Sequence, residues 1–287
     1  MVGGGPAGAA AAITLARNGR RVVVIERGNL PHQKPCGALI TPRAASALTR
    51  LDLDLVDTFH RVDHVRITSG ELSTSTRWPD HPVYPDHGFV AHRDRFDQNL
   101  ADAMREAGAT ILEGHEATAP IVDRGFVRGA HVTAPDNTTF EARADYTVVA
   151  DGANSRFGRS LGTFRQPTWP SALAHRGVYR SALHDASEIE VVVDLRDRAG
   201  TPITGYGWMF PRGDGTVNVG VLIFSTSPSF RVVNSAHLHQ RFVGEHRARW
   251  HLDPDVVAAP SGGRIPMGLS VGPAAGPTYL SVGDAVG

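Results

Sequence analysis

The strongest constraint on the fold stands at the start of the chain: Gly3-x-Gly5-x-x-Gly8, then an alanine-rich stretch, then Arg21-Val22-Val23-Val24-Ile25-Glu26. Ala9 to Asn18, with Ile13 and Leu15 among the alanines, has the composition of a helix, and Gly19 ends it. The β-branched run after it reads as a buried parallel strand. Residues 3–26 therefore run turn, helix, strand, and finish on an acid. Gly3 permits the bend, Gly5 lets backbone approach a pyrophosphate, and Gly8 lets the helix pack on the sheet, with Pro6 and Ala7 between them. The helix N-terminus turns its positive dipole end toward phosphate. Glu26, eighteen residues beyond Gly8, is placed to accept hydrogen bonds from ribose hydroxyls and to repel a 2′-phosphate. The nucleotide is thus expected to be of the FAD or NAD type, not NADP. The turn alone does not choose between those two.

A turn of this kind normally follows a strand of about five residues. Only Met1 and Val2 precede it here, and the other end, Ser281-Val282-Gly283-Asp284-Ala285-Val286-Gly287, is equally abrupt. The chain reads as a piece of something longer, a natural short start being the alternative. The 29 basic side chains balance the 29 acidic ones, which argues against bulk attraction to nucleic acid or anionic lipid. With 41% hydrophobic and 20% charged residues the 287-residue chain is globular, sized for one large or two modest domains. No apolar run reaches the roughly 18 residues that span a bilayer, and no signal peptide is visible. Cys36 is the single cysteine, so an internal disulfide and a cysteine metal site are both excluded, and a cytoplasmic location is expected. The 14 histidines show no metal-ligand spacing, and His237 and His239 point apart on a helix. No metal is expected. One lysine, Lys34, against 28 arginines reads as genome base composition.

Further along, Pro42–Leu51 and Arg93–Ala107 have helical patterns, and Val62–Thr76 reads as a strand pair around Ser69-Gly70. Ala109–Leu112 starts a strand, and residues 117–149 look like short antiparallel strands closing on Tyr146-Thr147-Val148-Val149-Ala150. Strand patterns return at Gly177–Ala182, Ile189–Leu195, Gly205–Phe210 and Val217–Ile223, and Asn234–Trp250 is helical.

Three later segments decide between FAD and NAD. Asp151-Gly152-Ala153-Asn154-Ser155 follows a strand, Gly283-Asp284 follows the apolar Tyr279-Leu280-Ser281-Val282, and Arg93 opens the helix Arg93-x-x-Phe96-Asp97. In this order the motifs resemble the FAD-dependent oxidoreductases of the para-hydroxybenzoate hydroxylase type, and the resemblance spans the chain. It implies that Asp284 binds the flavin ribitol and that Asp151-Gly152 lies near the pyrophosphate and the nicotinamide access route. Within that group the chain is similar to the geranylgeranyl reductase family. The likeness is carried by Lys34-Pro35-Cys36-Gly37 with Thr41-Pro42-Arg43-Ala44, by Gly88-Phe89-Val90, and above all by Tyr206-Gly207-Trp208-Met209-Phe210-Pro211. Gly213-Asp214-Gly215 and Val217-Asn218-Val219-Gly220 follow. The family carries a proline three residues ahead of its Tyr-x-Trp-x-Phe-Pro pattern, whereas here Pro202 stands four ahead. The segment that completes the family's flavin ring site after Gly-Asp is not in this chain.

The fold implied is α/β: a Rossmann-like FAD-binding domain with a parallel sheet (residues 1–62, 88–164 and 275–287) plus a second, mainly antiparallel substrate domain (63–87 and 165–274). The FAD contacts implied are Gly3, Gly5, Pro6, Ala7, Gly8, Glu26, Arg27, Cys36, Gly37, Arg93, Asp151, Gly152, Gly283 and Asp284. Tyr206, Trp208 and Phe210 alternate on a strand and share one face, suited to a long apolar chain, with filling of a protein core as the alternative. Cys36 is a candidate catalytic residue at the substrate end of the flavin, where it could gate or contact substrate, or else a small buried residue, and Lys34 is expected as a solvated loop residue. Tyr206 is the candidate proton donor, bound water the other. The activity implied is reduction of carbon–carbon double bonds in an isoprenoid chain by reduced FAD. NAD(P)H or another reductant, such as an electron-donor protein, would supply the electrons. The substrate would be an isoprenoid or prenylated lipid, with at most peripheral membrane contact and no nucleic acid. A flavin monooxygenase or halogenase on the same scaffold, or a non-catalytic fragment, are the alternatives. Halogenases carry Trp-x-Trp-x-Ile-Pro where this chain has Tyr206-x-Trp208-x-Phe210-Pro211.

Overall fold

A computed structural model of the chain describes residues 1–31, 34, 36–53 and 59–287. Pro35, part of the segment around Cys36, lies outside the described residues. The chain divides into two compact units: residues 1–33, 94–170 and 265–287 form one, and residues 34–93 and 171–264 form the other. Compared with the expected partition, residues 34–62 and 88–93 group with the second unit, and residues 165–170 and 265–274 with the first. Pairing holds the first group together: Gly88–Val90 hydrogen-bonds to both Leu39–Ile40 and His60–Val62.

The first unit is built on a parallel sheet. Val23–Glu26 pairs with Thr110–Glu113, and Thr147–Val149 pairs with Tyr279–Ser281. Val2 joins the two pairs, bridging Ile25 on one side and Val149 on the other. The Val2 N–H donates to Val148 O at 2.8 Å, and the Gly3 N–H donates to Ile25 O at 2.9 Å. Met1–Gly3 thus hold the central strand position whose brevity is evident in the sequence. The helix Pro6–Arg17 buries Gly8, Ala9, Ala12 and Ile13, small residues that allow close approach to the sheet. An antiparallel layer, Glu116–Asp123, Phe126–Thr133 and Thr139–Arg143, adds Val127, Ala130 and Val132 to a core shared with Val2, Ile25, Val149 and Phe157. The expectation of antiparallel strands throughout 117–149 fails at its end. Thr147–Val149 is parallel, because its β-branched residues are buried within the nucleotide-side sheet.

The second unit is a seven-stranded sheet. In spatial order its strands are Leu252–Pro266, Ser171–Ser181, Thr216–Phe224, Gly205–Pro211, Glu188–Val192, His64–Ser69 and Leu72–Arg77. One strand escapes the sequence reading: Leu252–Pro266 is mostly exposed, so it lacks the apolar alternation that marks a strand. On one face lies the helix Ser235–His246, capped by Asn234, whose Oδ1 accepts the Ala236 and His237 N–H groups. Met209, Val217, Val219, Val221, Leu238 and Phe242 form the core between helix and sheet. The other face carries the aromatic strand residues.

Candidate functional site

In the first unit the glycine turn assembles as its spacing requires. Gly3 sits at φ +97°, and a Cβ there would strike the Ala150 carbonyl, so only glycine closes this bend beside the Ala150-Asp151 strand end. At Gly5 the reverse holds: where its Cβ would be there is open space. The turn leads into the helix at Pro6, and Ala9 is the first residue whose N–H bonds within it, to Gly5 O at 2.8 Å. The N–H groups ahead of it face outward, as at any helix start. Gly283 approaches Ala7, which brings the Gly283-Asp284 turn to the same helix end.

Glu26 is 7% exposed, and its two carboxylate oxygens accept the Gly4 N–H at 2.7 Å and the Gly28 N–H at 2.8 Å. The acid expected on a ribose therefore also ties the glycine turn to the end of its strand. Each carboxylate oxygen retains acceptor capacity beyond one such bond. Arg27, expected beside the cofactor, is largely exposed and lies 4.0 Å from Glu116. Asp151 accepts the Phe157 N–H on Oδ2 at 3.1 Å, while its other oxygen is buried without a hydrogen-bond partner among the described residues. Gly152 follows at φ +81° with open space on its Cβ side. Open backbone at Gly5 and Gly152, outward N–H groups and an unsatisfied carboxylate oxygen form a cradle that fits a dinucleotide. FAD is the dinucleotide to which the motif order points.

Cys36, Gly37 and Arg93, also expected on the cofactor, belong to the second unit with the aromatic strand. There Tyr206, Trp208 and Phe210 do share one face. Ring centroids are 6.2 Å apart for Tyr206–Trp208 and 5.9 Å apart for the stacked Trp208–Phe210 pair. Met209 points the other way, into the helix-side core. Trp208 and Phe210 are 4% and 5% exposed, and Gly37 covers them: a Cβ on it would come within 3.2 Å of Phe210 and 3.5 Å of Trp208. Tyr206 is only half-buried, and burial raises its pKa, so the phenol keeps its proton near neutrality. The lid over the pair is fastened by Asn218. Its Oδ1 accepts the Trp208 indole N–H at 3.1 Å, and its Nδ2 donates to the Cys36 carbonyl at 2.9 Å. The Cys36 sulfur accepts the Ala38 N–H at 3.3 Å. Lys34 is exposed, as a loop lysine should be.

Sequence reasoning gave Asn218 no role beyond a place in a motif. The signal was available: one amide side chain in the otherwise apolar and buried run Val217–Ile223 must find partners. Arg176 escaped altogether, although it interrupts the alternation Ala172, Ala174, Val178 in the same way. Among the described residues no cluster of three or more His, Cys, Asp or Glu side chains could hold a metal ion. No helix among them is long and apolar enough to cross a membrane.

A dinucleotide turn pinned by its strand-end acid, with a separate sheet presenting an aromatic face, defines a Rossmann-type flavoprotein oxidoreductase. Residues 1–192 match the family described as FAD binding domain. The chain is 35% identical over 288 residues to a menaquinone reductase of Mycobacterium tuberculosis (H37Rv), covering 99% of this chain and 69% of that protein. It is 30% identical over 234 residues to a digeranylgeranylglycerophospholipid reductase of Methanoculleus marisnigri, covering 77% of this chain and 54% of that one. Its fold superposes on a geranylgeranyl bacteriochlorophyll reductase-like protein of Thermoplasma acidophilum with a TM-score of 0.82. That match has 24% identity and covers 99% of this chain and 70% of the other. The chain belongs to the FAD binding domain family of FAD-dependent oxidoreductases.

Proposed function

We propose that this oxidoreductase saturates carbon–carbon double bonds in the isoprenoid chain of a prenylated lipid. The observation that carries the reading is the Tyr206–Trp208–Phe210 face with its Asn218-fastened cover. Its accessible edge is the half-buried Tyr206, with Trp208 and Phe210 packed behind it under Gly37. A polyprenyl chain gains about 25 cal/mol for each Å² of apolar surface it buries on such a face, and no specific polar contact is needed. The names of the relatives support the same substrate class. Menaquinone, digeranylgeranylglycerophospholipid and geranylgeranyl bacteriochlorophyll differ in their heads and share a polyprenyl chain.

An isolated alkene is weakly polarised, so the protein's contribution is orientation and exclusion of water. Reduced FAD, when bound, would supply the hydride and be left oxidised. Trp208 and Phe210, stacked and held with the covering loop by Asn218, are a rigid backing for the Tyr206 edge along which the chain would align. Tyr206, protonated because burial raises its pKa, is the side chain on this face able to deliver a proton to the second alkene carbon. Gly5, Gly8, Glu26, Asp151, Gly152, Gly283 and Asp284 hold the dinucleotide. NAD(P)H or an electron-donor protein restores the reduced cofactor. With no spanning helix among the described residues, any membrane contact needed to reach a lipid is peripheral in this reading.

The test is anaerobic turnover of the reduced holoprotein with a menaquinone, a geranylgeranyl phospholipid and geranylgeranyl diphosphate, followed by mass spectrometry. The expected product has gained one H2 for each bond saturated. Oxygen-dependent hydroxylation or halogenation, with no anaerobic product, would overturn the reading in favour of a monooxygenase or halogenase.

A further inference from the structure

The aromatic face does not end in apolar residues. Strand register places Gly220 opposite both Trp208 and Arg176, so all three point to the same side of the sheet. A Cβ on Gly220 would fall inside the Trp208 ring. The indole therefore lies flat across Gly220, toward the strand that carries Arg176. The Nε of Arg176 is buried and has no hydrogen-bond partner among the described residues. Its guanidinium pKa is lowered, chiefly by burial and further by the positive charges of Arg212 and Arg93, with the Cys36 sulfur acting in the opposite direction. Arg212 is otherwise engaged: it donates to His92 Nδ1 at 2.9 Å, lies 3.7 Å from Asp214 and donates to Thr216 Oγ1 at 3.3 Å. Arg176 thus combines a half-buried charge, like-charged neighbours and a buried, unsatisfied Nε donor, an arrangement that is costly unless an acceptor completes it.

We propose that Arg176 is a specificity-determining residue that binds an acceptor oxygen on the head of the prenylated lipid and so sets which end of the chain lies along the aromatic face at Tyr206. The inference rests on the prenyl-lipid reading above. A phosphate oxygen and a quinone carbonyl offer the same chemistry to a guanidinium fork, the phosphate with a full negative charge. A simple alcohol presents a far weaker acceptor. Anchoring the head at one end of a flat aromatic wall fixes the register of the chain, so the head determines which double bond is presented for reduction.

The experiment measures dissociation constants of the FAD-loaded protein in detergent for geranylgeranyl diphosphate, a menaquinone and geranylgeraniol. Wild type, Arg176→Met and Arg176→Lys are compared. Arg176→Met is expected to weaken the headed ligand that the protein uses by about 10- to 100-fold and geranylgeraniol by less than about threefold. Arg176→Lys should recover part of the loss, because it restores the charge without the fork. A loss confined to the diphosphate identifies an anionic head, and one confined to the menaquinone identifies a carbonyl head. The site of saturation in each product should shift in the Met variant. Equal weakening of all three ligands, a lowered affinity for FAD, or no change at all would overturn the assignment. If the wild-type protein binds none of the three, the prenyl-lipid reading itself fails, and the assignment of Arg176 with it.

Discussion

Asn218 accepts the indole N–H of Trp208 at 3.1 Å from the neighbouring strand, and with its amide nitrogen it holds the Cys36 carbonyl at 2.9 Å. One buried side chain thereby fixes the aromatic ring and the loop that covers it. Neither bond can be exchanged for water, because Asn218 is 3% exposed. The geometry of the aromatic face is therefore coupled to that of the Cys36-Gly37 loop.

Replacing Asn218 with leucine should strand the Trp208 N–H and the Cys36 carbonyl together. The expected cost is about 2–6 kcal/mol, at about 1–3 kcal/mol for each buried group left unsatisfied. Urea denaturation of the two proteins measures it.

Gly220→Ala tests the close approach of the ring. The added methyl cannot coexist with the Trp208 indole in its present place. Overpacking of this kind costs about 1–3 kcal/mol. The variant should show an altered near-ultraviolet tryptophan dichroism, reduced turnover of prenyl substrates and unchanged affinity for FAD. An unchanged dichroism would mean the ring does not rest on Gly220.

Glu26→Ala should act twice. It removes an acceptor for the ribose, expected to cost about 1.5–3 kcal/mol of FAD affinity. It also frees the Gly4 and Gly28 N–H groups that its carboxylate now binds, so the protein stripped of FAD should be destabilised as well. Calorimetric titration with FAD and thermal unfolding without it separate the two effects. Full stability of the flavin-free variant would show that the carboxylate does not brace the turn.

Acid should weaken the fold through His239. This residue is 2% exposed, and a carbonyl can only accept, so its Nε2 carries a proton toward Val219 O at 3.1 Å. Burial is the main reason its pKa falls from 6.5 to about 4, with the nearby His175 contributing in the same direction. The folded state thus favours neutral imidazole. Its contribution is complete above pH 6.5 and is lost as the pH falls toward 4, amounting to about 3 kcal/mol. Denaturation at pH 7.5 and pH 4 should show the loss in wild type. It should be smaller in His239→Gln, which keeps a donor for Val219 and does not titrate.

How much of this was legible beforehand differs by region. The turn, helix and strand from Gly3 to Glu26 follow from needs met within a short stretch of chain. These are a bend only glycine tolerates at Gly3, a helix of small residues that packs closely, and β-branched residues at buried strand positions. Alternation alone placed Tyr206, Trp208 and Phe210 on one face, since side chains alternate in any strand. Leu252–Pro266 was missed because an exposed edge strand owes its pairing to its neighbour rather than to its own pattern.

Long-range pairing decided the rest. Asn218 and Cys36 are 182 residues apart in the chain, and no local spacing announces their bond. Arg176 shares a face with Trp208 only because both strands register on Gly220. The sequence by itself determined a dinucleotide turn, its strand-end acid and an aromatic strand, because each is specified by backbone geometry and periodicity close at hand. Only the tertiary structure decided that Glu26 braces the turn, that Gly37 covers the aromatic pair, and that a half-buried guanidinium shares their face of the sheet. Those relations depend on which strands meet and in what register, and each was settled by burial of side chains far apart in sequence.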